Sequence, residues 1–84
     1  MIIFTKHALD KFGILMKHKF IISENKVSEV LYNSDLIDYS RLPLLIAQGK
    51  VDRTHVLRVV YKEEKGFMKV ITFYPGRSKN YGKK

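Results

Sequence analysis

The chain has 84 residues, no cysteine and a formal net charge of +8. This length fits a single domain, and the lack of cysteine excludes disulfides and thiolate metal sites, which is consistent with a reducing cytoplasm. No apolar run approaches the roughly 20 residues of a membrane span, and the first residues lack a signal-peptide pattern, so we expect a cytoplasmic protein with no membrane partner.

The basic residues are concentrated in the second half of the chain. Residues 1–42 contain six Lys or Arg and five Asp or Glu, whereas residues 43–84 contain ten and three, a net charge of +7. A half-domain this basic indicates a polyanionic partner, most often a nucleic acid. The alternative is that these lysines only keep the protein soluble.

The first half of the chain predicts one short strand and two helices. Residues 2–4 are apolar and β-prone. Thr5 is a suitable N-cap for a helix over residues 6–17, whose apolar side chains recur at helical spacing. Ser23 is a suitable N-cap for a second helix through residue 33.

The second half predicts strands over residues 36–39 and 43–48, followed by a β-hairpin over residues 54–74 that is rich in β-branched and aromatic residues. Pro75-Gly76 is expected to end the last strand, leaving a short basic tail from about residue 75. The order predicts one α+β domain over residues 1–84. Its two N-terminal helices should pack on one face of a mostly antiparallel sheet of four to five strands.

The hairpin has two different faces if Glu64-Lys65 forms its tip, because side chains alternate along a strand. The mostly apolar face, expected to be core, carries His55, Leu57, Val59, Tyr61, Met68, Val70, Thr72 and Tyr74. The other face, expected to be uncovered, carries Thr54, Val56, Arg58, Val60, Lys62, Phe67, Lys69, Ile71 and Phe73. Its three cations among aromatic residues suit a surface that grips phosphates and stacks bases, as single-stranded RNA binders do.

Familiar catalytic signatures are absent from the sequence, which has no P-loop, GxGxxG, GxSxG or HExxH motif. The three histidines lack metal-ligand spacing, so neither a metal nor a cofactor is expected. His7 lies in the first turn of the predicted helix, where the helix dipole disfavours its protonated form and suits a neutral base. A surface helix histidine is the commoner case, and His55 is more simply a partly buried histidine bonded to nearby backbone.

Several short motifs carry a family resemblance. Thr5-Lys6-His7-Ala8, the segment after Ser23, HVLRVVY and VITFYP resemble short prokaryotic proteins related to the BrnT and RelE type II toxins. The resemblance implies a RelE/barnase-like fold. It also implies metal-independent RNA cleavage, often of mRNA on the ribosome, by a protein that a cognate antitoxin holds inactive. An acidic antitoxin segment is then expected to cover Arg58 and Lys69.

The resemblance also implies roles for particular residues. Arg58 matches the sheet arginine that stabilises the charge on the phosphorane, and His7 or His55 would be the base for the ribose 2′-OH. Tyr74 and Tyr81 compete for the role of the late aromatic donor or stacking platform. The further RNA-binding residues would be Lys11, Lys62, Lys69, Arg77, Lys79 and Tyr81. The rival hypothesis is a non-catalytic RNA- or protein-binding module, and a toxin-like fold that has lost its activity would give the same sequence.

Overall fold

The computed structural model describes residues 1–81 as a sheet of five strands with two helices. The elements in chain order are β1 (Ile2–Phe4), α1 (Lys6–Lys17), α2 (Glu24–Tyr32), β2 (Leu36–Asp38), β3 (Leu45–Lys50), β4 (His55–Glu64), β5 (Phe67–Arg77) and a 3-10 turn (Ser78–Asn80). Within these residues neither helix has the length and apolar character needed to cross a bilayer.

The sheet has the strand order β1-β5-β4-β3-β2, and every pair is antiparallel except β1 with β5. This confirms the α+β class with a five-stranded, mostly antiparallel sheet. The central hairpin of β4 and β5 holds the middle of the sheet because each of its strands has a second neighbour. β3 begins at Leu45, so the prediction that Pro43 starts this strand is wrong; Pro43 lies in the preceding turn.

β5 continues beyond the point at which the sequence predicted its end. Pro75 pairs with Leu57 and Gly76 with Val56, and the strand ends at Arg77. Proline is tolerated here because β1 pairs only with residues 68–70 of β5, so no described strand needs an N–H from Pro75 on the outer edge. The prediction that Pro75-Gly76 ends the strand is therefore wrong.

The core lies between the two helices and one face of the sheet. One cluster of buried residues joins Ala8, Leu15, Ile22, Val27, Val30, Leu31, Ala47, Leu57, Val59, Tyr61, Val70 and Phe73. Gly49 shows how close this packing is, because a Cβ atom added there would lie 3.1 Å from a methyl group of Val30. We call the opposite face of the sheet the open face.

A β-bulge in the central hairpin sets which side chains reach each face. The tip of the hairpin is Lys65-Gly66, with Gly66 at φ +78°, and Glu64 pairs with Phe67. The tip predicted at Glu64-Lys65 is thus wrong by one residue. Tyr61 pairs with Val70, but Val60 pairs with Thr72, so Ile71 is an extra residue on β5.

The bulge reverses the faces of the residues that follow it. Val59 pairs with Phe73, which is fully buried in the core, and Arg58 pairs with Tyr74 on the open face. The predicted faces of Phe73 and Tyr74 are therefore wrong, and Thr72 likewise lies on the open face opposite Val60. The assignments before the bulge are confirmed, because Tyr61 and Val70 are both buried in the core.

Thr5 fixes the bulge to the start of α1. Its backbone N–H donates to Val70 O at 3.1 Å, and its hydroxyl donates to Ile71 O at 3.1 Å. The same hydroxyl oxygen accepts from the backbone N–H of Ala8 at 3.1 Å, so Thr5 is the N-cap of α1 as predicted. One side chain therefore satisfies a helix end and the irregular carbonyl of the bulge.

We expect Thr5→Val to lower the free energy of unfolding by about 1–2 kcal/mol, because both hydroxyl bonds are lost while the branched shape remains. Ser23→Ala is the matched control, since Ser23 caps α2 through Lys26 N at 3.1 Å and does not contact the bulge. Both variants should be less stable to denaturant. Only Thr5→Val should shift the amide resonances of Ile71 and Thr72, and equal spectra for the two variants would contradict this role of Thr5.

Candidate functional site

Four strands contribute to a row of side chains across the open face. Leu36 pairs with Gln48, Gln48 with Arg58, and Arg58 with Tyr74, so these residues lie side by side on β2, β3, β4 and β5. Asp38 lies on the same face as Leu36, two residues further along β2. Together with Tyr81, the residues Asp38, Gln48, Arg58 and Tyr74 form what we call the Arg58 cluster.

Hydrogen bonds hold the guanidinium of Arg58 around its edge. Its Nε donates to Tyr74 Oη at 3.1 Å, Nη1 donates to Gln48 Oε1 at 2.5 Å, and Nη2 donates to Asp38 Oδ2 at 3.2 Å. The Arg58 side chain is only 9% exposed. A buried cation needs such partners, because an unpaired charge away from water is strongly destabilising.

Tyr81 covers the flat face of the same guanidinium. The Arg58 Cζ atom lies 4.4 Å from the centroid of the Tyr81 ring, within the range of a cation–π contact. Gln48 Nε2 donates to the carbonyl oxygen of Tyr81 at 2.9 Å, and Ser78 N donates to Thr54 O at 2.8 Å. The sheet face predicted to be uncovered is thus closed over Arg58 by the residues that follow β5.

The charges of the cluster are fixed over the physiological pH range. Burial by itself would lower the pKa of Arg58, but the hydrogen bond to Tyr74, together with Asp38, holds it above its ordinary value. The pKa of Asp38 lies below its ordinary value because of hydrogen bonds with Ser40 and, to a smaller extent, the bond and charge of Arg58. The ion pair therefore stays formed at neutral pH.

Neither candidate histidine lies at the Arg58 cluster. His7 is exposed on α1, in the helix layer on the other side of the sheet. His55 lies on the helix-side face of β4, with Nδ1 3.1 Å from Asp52 Oδ1 and its ring 5.7 Å from that of Phe20. Of the four candidate catalytic residues, the structure therefore brings together only Arg58 and Tyr74.

The candidate RNA-binding cations do not form one continuous patch. Lys62 and Lys69 are directly opposite each other, and Lys62 Nζ lies 3.7 Å from Glu64 Oε2. Arg77 and Lys79 are exposed near Tyr81, at the end of the described chain. Lys11 is half-buried on α1 and does not share this face.

Sequence reasoning missed two members of the cluster, Gln48 and Asp38. Gln48 is 5% exposed in the middle of an apolar strand, and a buried amide of this kind nearly always has hydrogen-bond partners. Its position in the LLIAQGK segment was the available signal. Asp38 gave no signal, because its contact with Arg58 depends on the pairing of three strands.

We expect the free energy of unfolding of Asp38→Asn to fall less steeply than that of the wild type as the pH is lowered into the acid range. We call this part of the pH dependence the acid limb. The folded-state pKa of Asp38 is lowered, so its stabilisation is complete well above the ordinary value of 3.8 and is lost as pH falls through the lower folded pKa. At pH 7 the variant should be less stable by about 1–2 kcal/mol, because Nη2 of Arg58 loses its charged acceptor.

The matched control is Asp10→Asn, since Asp10 pairs with Lys6 at 3.2 Å on the exposed surface of α1. Exposed pairs contribute at most about 1 kcal/mol, so this variant should be less destabilised at pH 7 than Asp38→Asn. Denaturant titrations between pH 2 and pH 7 measure both effects. Wild-type stability of Asp38→Asn at pH 7 would show that Arg58 does not depend on this carboxylate, whereas the acid limb reports first on the hydrogen bonds with Ser40.

Among residues 1–81, no group of three or more His, Asp or Glu side chains is arranged to hold a metal ion. Comparison with family models, with curated proteins and with solved structures gives no significant match for this chain.

Proposed function

We propose that the protein acts on RNA in the cytoplasm, as a toxin-like endoribonuclease that needs no metal and belongs to a type II toxin–antitoxin system. The observation that carries the proposal is the convergence of Arg58, Tyr74 and Tyr81 on a sheet face with further cations. The motif resemblance to the BrnT and RelE toxins supports it, and so does the α+β fold with a five-stranded sheet.

The charge of the open face supports a polyanionic ligand. Lys62 and Lys69 lie opposite each other, and like charges in this position repel unless an anion lies between them. The only carboxylate near this pair in the described residues is that of Glu64, at 3.7 Å from Lys62. A phosphate backbone along this face would remove the repulsion.

The chemistry proposed is attack of a ribose 2′-OH on the adjacent phosphate, which forms a 2′,3′-cyclic phosphate and breaks the bond to the 5′-oxygen. The 2′-OH proton passes to a solvent water, because neither histidine lies at the Arg58 cluster. Arg58 uses three of its five N–H groups in the cluster, which leaves two for the oxygens of the phosphorane. Tyr74, whose phenol accepts from Arg58 at 3.1 Å, is the proton donor for the leaving oxygen. Tyr81 covers the flat face of the guanidinium and must move before RNA can contact that face.

A second candidate function is RNA binding without cleavage. It is favoured by the positions of His7 and His55, which both lie away from the Arg58 cluster. Asp38 is the remaining base at the cluster, and a carboxylate with a lowered pKa is a weak proton acceptor. The cationic face would bind RNA equally well in this case.

The partner that we propose is a cognate antitoxin with an acidic segment. Lys62 and Lys69 are the cations of the open face that it would neutralise, because Asp38 balances Arg58, whereas Glu64, at 3.7 Å from Lys62, balances one charge of these two. In the described part of the chain, the outer edge of β5 beyond Val70 has no partner strand. An extended segment of the antitoxin would pair with this edge.

Single-turnover cleavage of RNA in the presence of a chelator tests the enzyme proposal. We expect wild-type protein to cleave naked or ribosome-bound RNA, and Tyr74→Phe to be slower by about 100-fold, since a positioned general acid is typically worth that much. Tyr32→Phe is the matched control, because Tyr32 is 60% exposed at the end of α2 in the helix layer.

Circular dichroism should show that both tyrosine variants remain folded. If the wild type is inert on both substrates, the enzyme proposal fails and binding without cleavage is the function that remains. If Tyr74→Phe cleaves at the wild-type rate, Tyr74 is not the proton donor.

The salt dependence of RNA binding tests the cationic face. Affinity should fall steeply with salt, and Lys62→Gln or Lys69→Gln should each reduce the log–log slope by about 0.7, the value for one phosphate of a single strand. Lys6→Gln changes the net charge equally on α1, so its slope should match the wild type. A flat salt dependence, or equal effects of all three variants, would mean that the lysines serve only solubility.

A further inference from the structure

The ring of Tyr81 lies in a slot on the open face. One wall of the slot is the guanidinium face of Arg58, 4.4 Å from the ring centroid. The floor is the backbone of Gly76, which lies on the same face two residues after Tyr74. Gln48 borders the slot, since its amide nitrogen is 2.9 Å from the Tyr81 carbonyl oxygen.

Gly76 makes the slot wide enough for a flat ring. A Cβ atom added at Gly76 would lie 2.3 Å from Cε2 and 2.8 Å from Cδ2 of Tyr81, closer than packed atoms can approach. The glycine is not required by the backbone, because Gly66 is the glycine with positive φ in the described chain and Gly76 sits in a regular strand pair. The missing side chain at Gly76 therefore matters because it leaves space above β5.

The flat face of Arg58 suits a planar neutral group. Asp38, Gln48 and Tyr74 accept three of the five N–H groups along the edge of the guanidinium, and the flat face is the part that Tyr81 covers. Asp38 Oδ2 at 3.2 Å already balances the charge of Arg58, so an uncharged ring on the flat face leaves no charge unpaired. Guanidinium planes stack well on nucleobases, which are flat and uncharged.

Gln48 supplies a hydrogen-bond donor at the edge of the slot. Its Oε1 accepts from Arg58, so the orientation of the amide is set and Nε2 points to the Tyr81 carbonyl. If Tyr81 leaves, this donor on a residue that is 5% exposed loses its partner. A ring that carries an acceptor on its edge would restore the bond, and every nucleobase has such an acceptor.

We propose that this slot binds an unpaired nucleobase of single-stranded RNA, and that Tyr81 fills it in the free protein. The proposal rests on the proposed action on RNA and names the part of the RNA that contacts the flat face of Arg58. Tyr81 follows a 3-10 turn of three residues and is held by the Arg58 face, by the bond from Gln48 Nε2 to its carbonyl oxygen and by the bond from Ser78 N to Thr54 O, so its release breaks these contacts. Lys79, exposed in the turn, is then free to contact a neighbouring phosphate.

Because Tyr81 occupies the slot in the free protein, its side chain competes with RNA for the slot. A protein whose binding-competent state is only partly populated binds more weakly by that fraction, so removal of the competing ring should tighten binding. We expect Tyr81→Ala to bind a short single-stranded RNA about 10-fold more tightly than the wild type. Tyr32→Ala, in the helix layer, is the matched control and should leave the affinity unchanged.

The probe is a labelled RNA of mixed sequence followed by fluorescence anisotropy, with the same oligonucleotide made abasic as its partner. The gain from Tyr81→Ala should be confined to the RNA with bases. Adding Gly76→Ala to Tyr81→Ala should abolish the gain, because the new Cβ atom fills the slot. If Gly76→Ala does not fold, the abasic comparison decides without it.

The outcomes separate this proposal from the proposed function. A gain that persists with abasic RNA would make Tyr81 a simple cover over a phosphate site, and weaker binding by Tyr81→Ala would make it a stacking platform; either result overturns the base slot. If Tyr81→Ala gives no gain while the salt dependence still requires Lys62 and Lys69, the slot fails and RNA binding stands. If Tyr81→Ala tightens binding only to RNA with bases but the protein does not cleave RNA, the slot is supported and the proposal of an endoribonuclease is rejected. If no variant binds RNA, both the slot and the proposed function are rejected.

Discussion

The hydrogen bond from the Thr5 hydroxyl to Ile71 O is the contact on which the arrangement of the candidate site depends. It ties the start of α1 to a single extra residue in β5. Because a strand has a period of two, one inserted residue moves every following side chain to the other face. Phe73 enters the core against Phe12, 4.7 Å between ring centroids, and Tyr74 reaches Arg58. Without the bulge, the core would lose Phe73 and the Arg58 cluster would lose Tyr74.

Arg58 is the second constraint, because it links β2, β3 and β5 to the end of the chain through one buried charge. Its partners Asp38, Gln48, Tyr74 and Tyr81 come from four separate segments. A buried ion pair adds little net stability over an apolar pair of the same size, yet removal of one partner is destabilising because the other charge is left without its counter-charge. Such a group fixes the register of the strands more than it strengthens them. It also keeps a rigid, flat cation in one place, which a recognition site requires.

The sequence predicted the elements well and the site only in part, for reasons that differ between residues. Thr5 and Ser23 mark the helix starts through local capping, which depends on neighbours three residues away. Arg58 follows from alternation along a single strand. The bulge at Ile71 could not be predicted, since its partner Thr5 is 66 residues away and VITFY has no glycine or proline to signal it. Tyr81 was a candidate from the sequence, but the same limit hid its position over Arg58, which requires β5 to run through Pro75-Gly76.

The open face contains two kinds of cation, and this difference orders the steps by which a strand of RNA would bind. Lys62 and Lys69 repel each other across the β4–β5 pair, so an approaching polyanion gains most there, and this attraction acts at long range. Arg58 has its counter-charge in Asp38 and attracts a distant anion weakly. Arg58 would contribute at short range, after Tyr81 has left and the guanidinium plane is exposed. The charge of the two lysines would therefore control how fast RNA associates, whereas the slot over Gly76 would control which RNA strands stay bound.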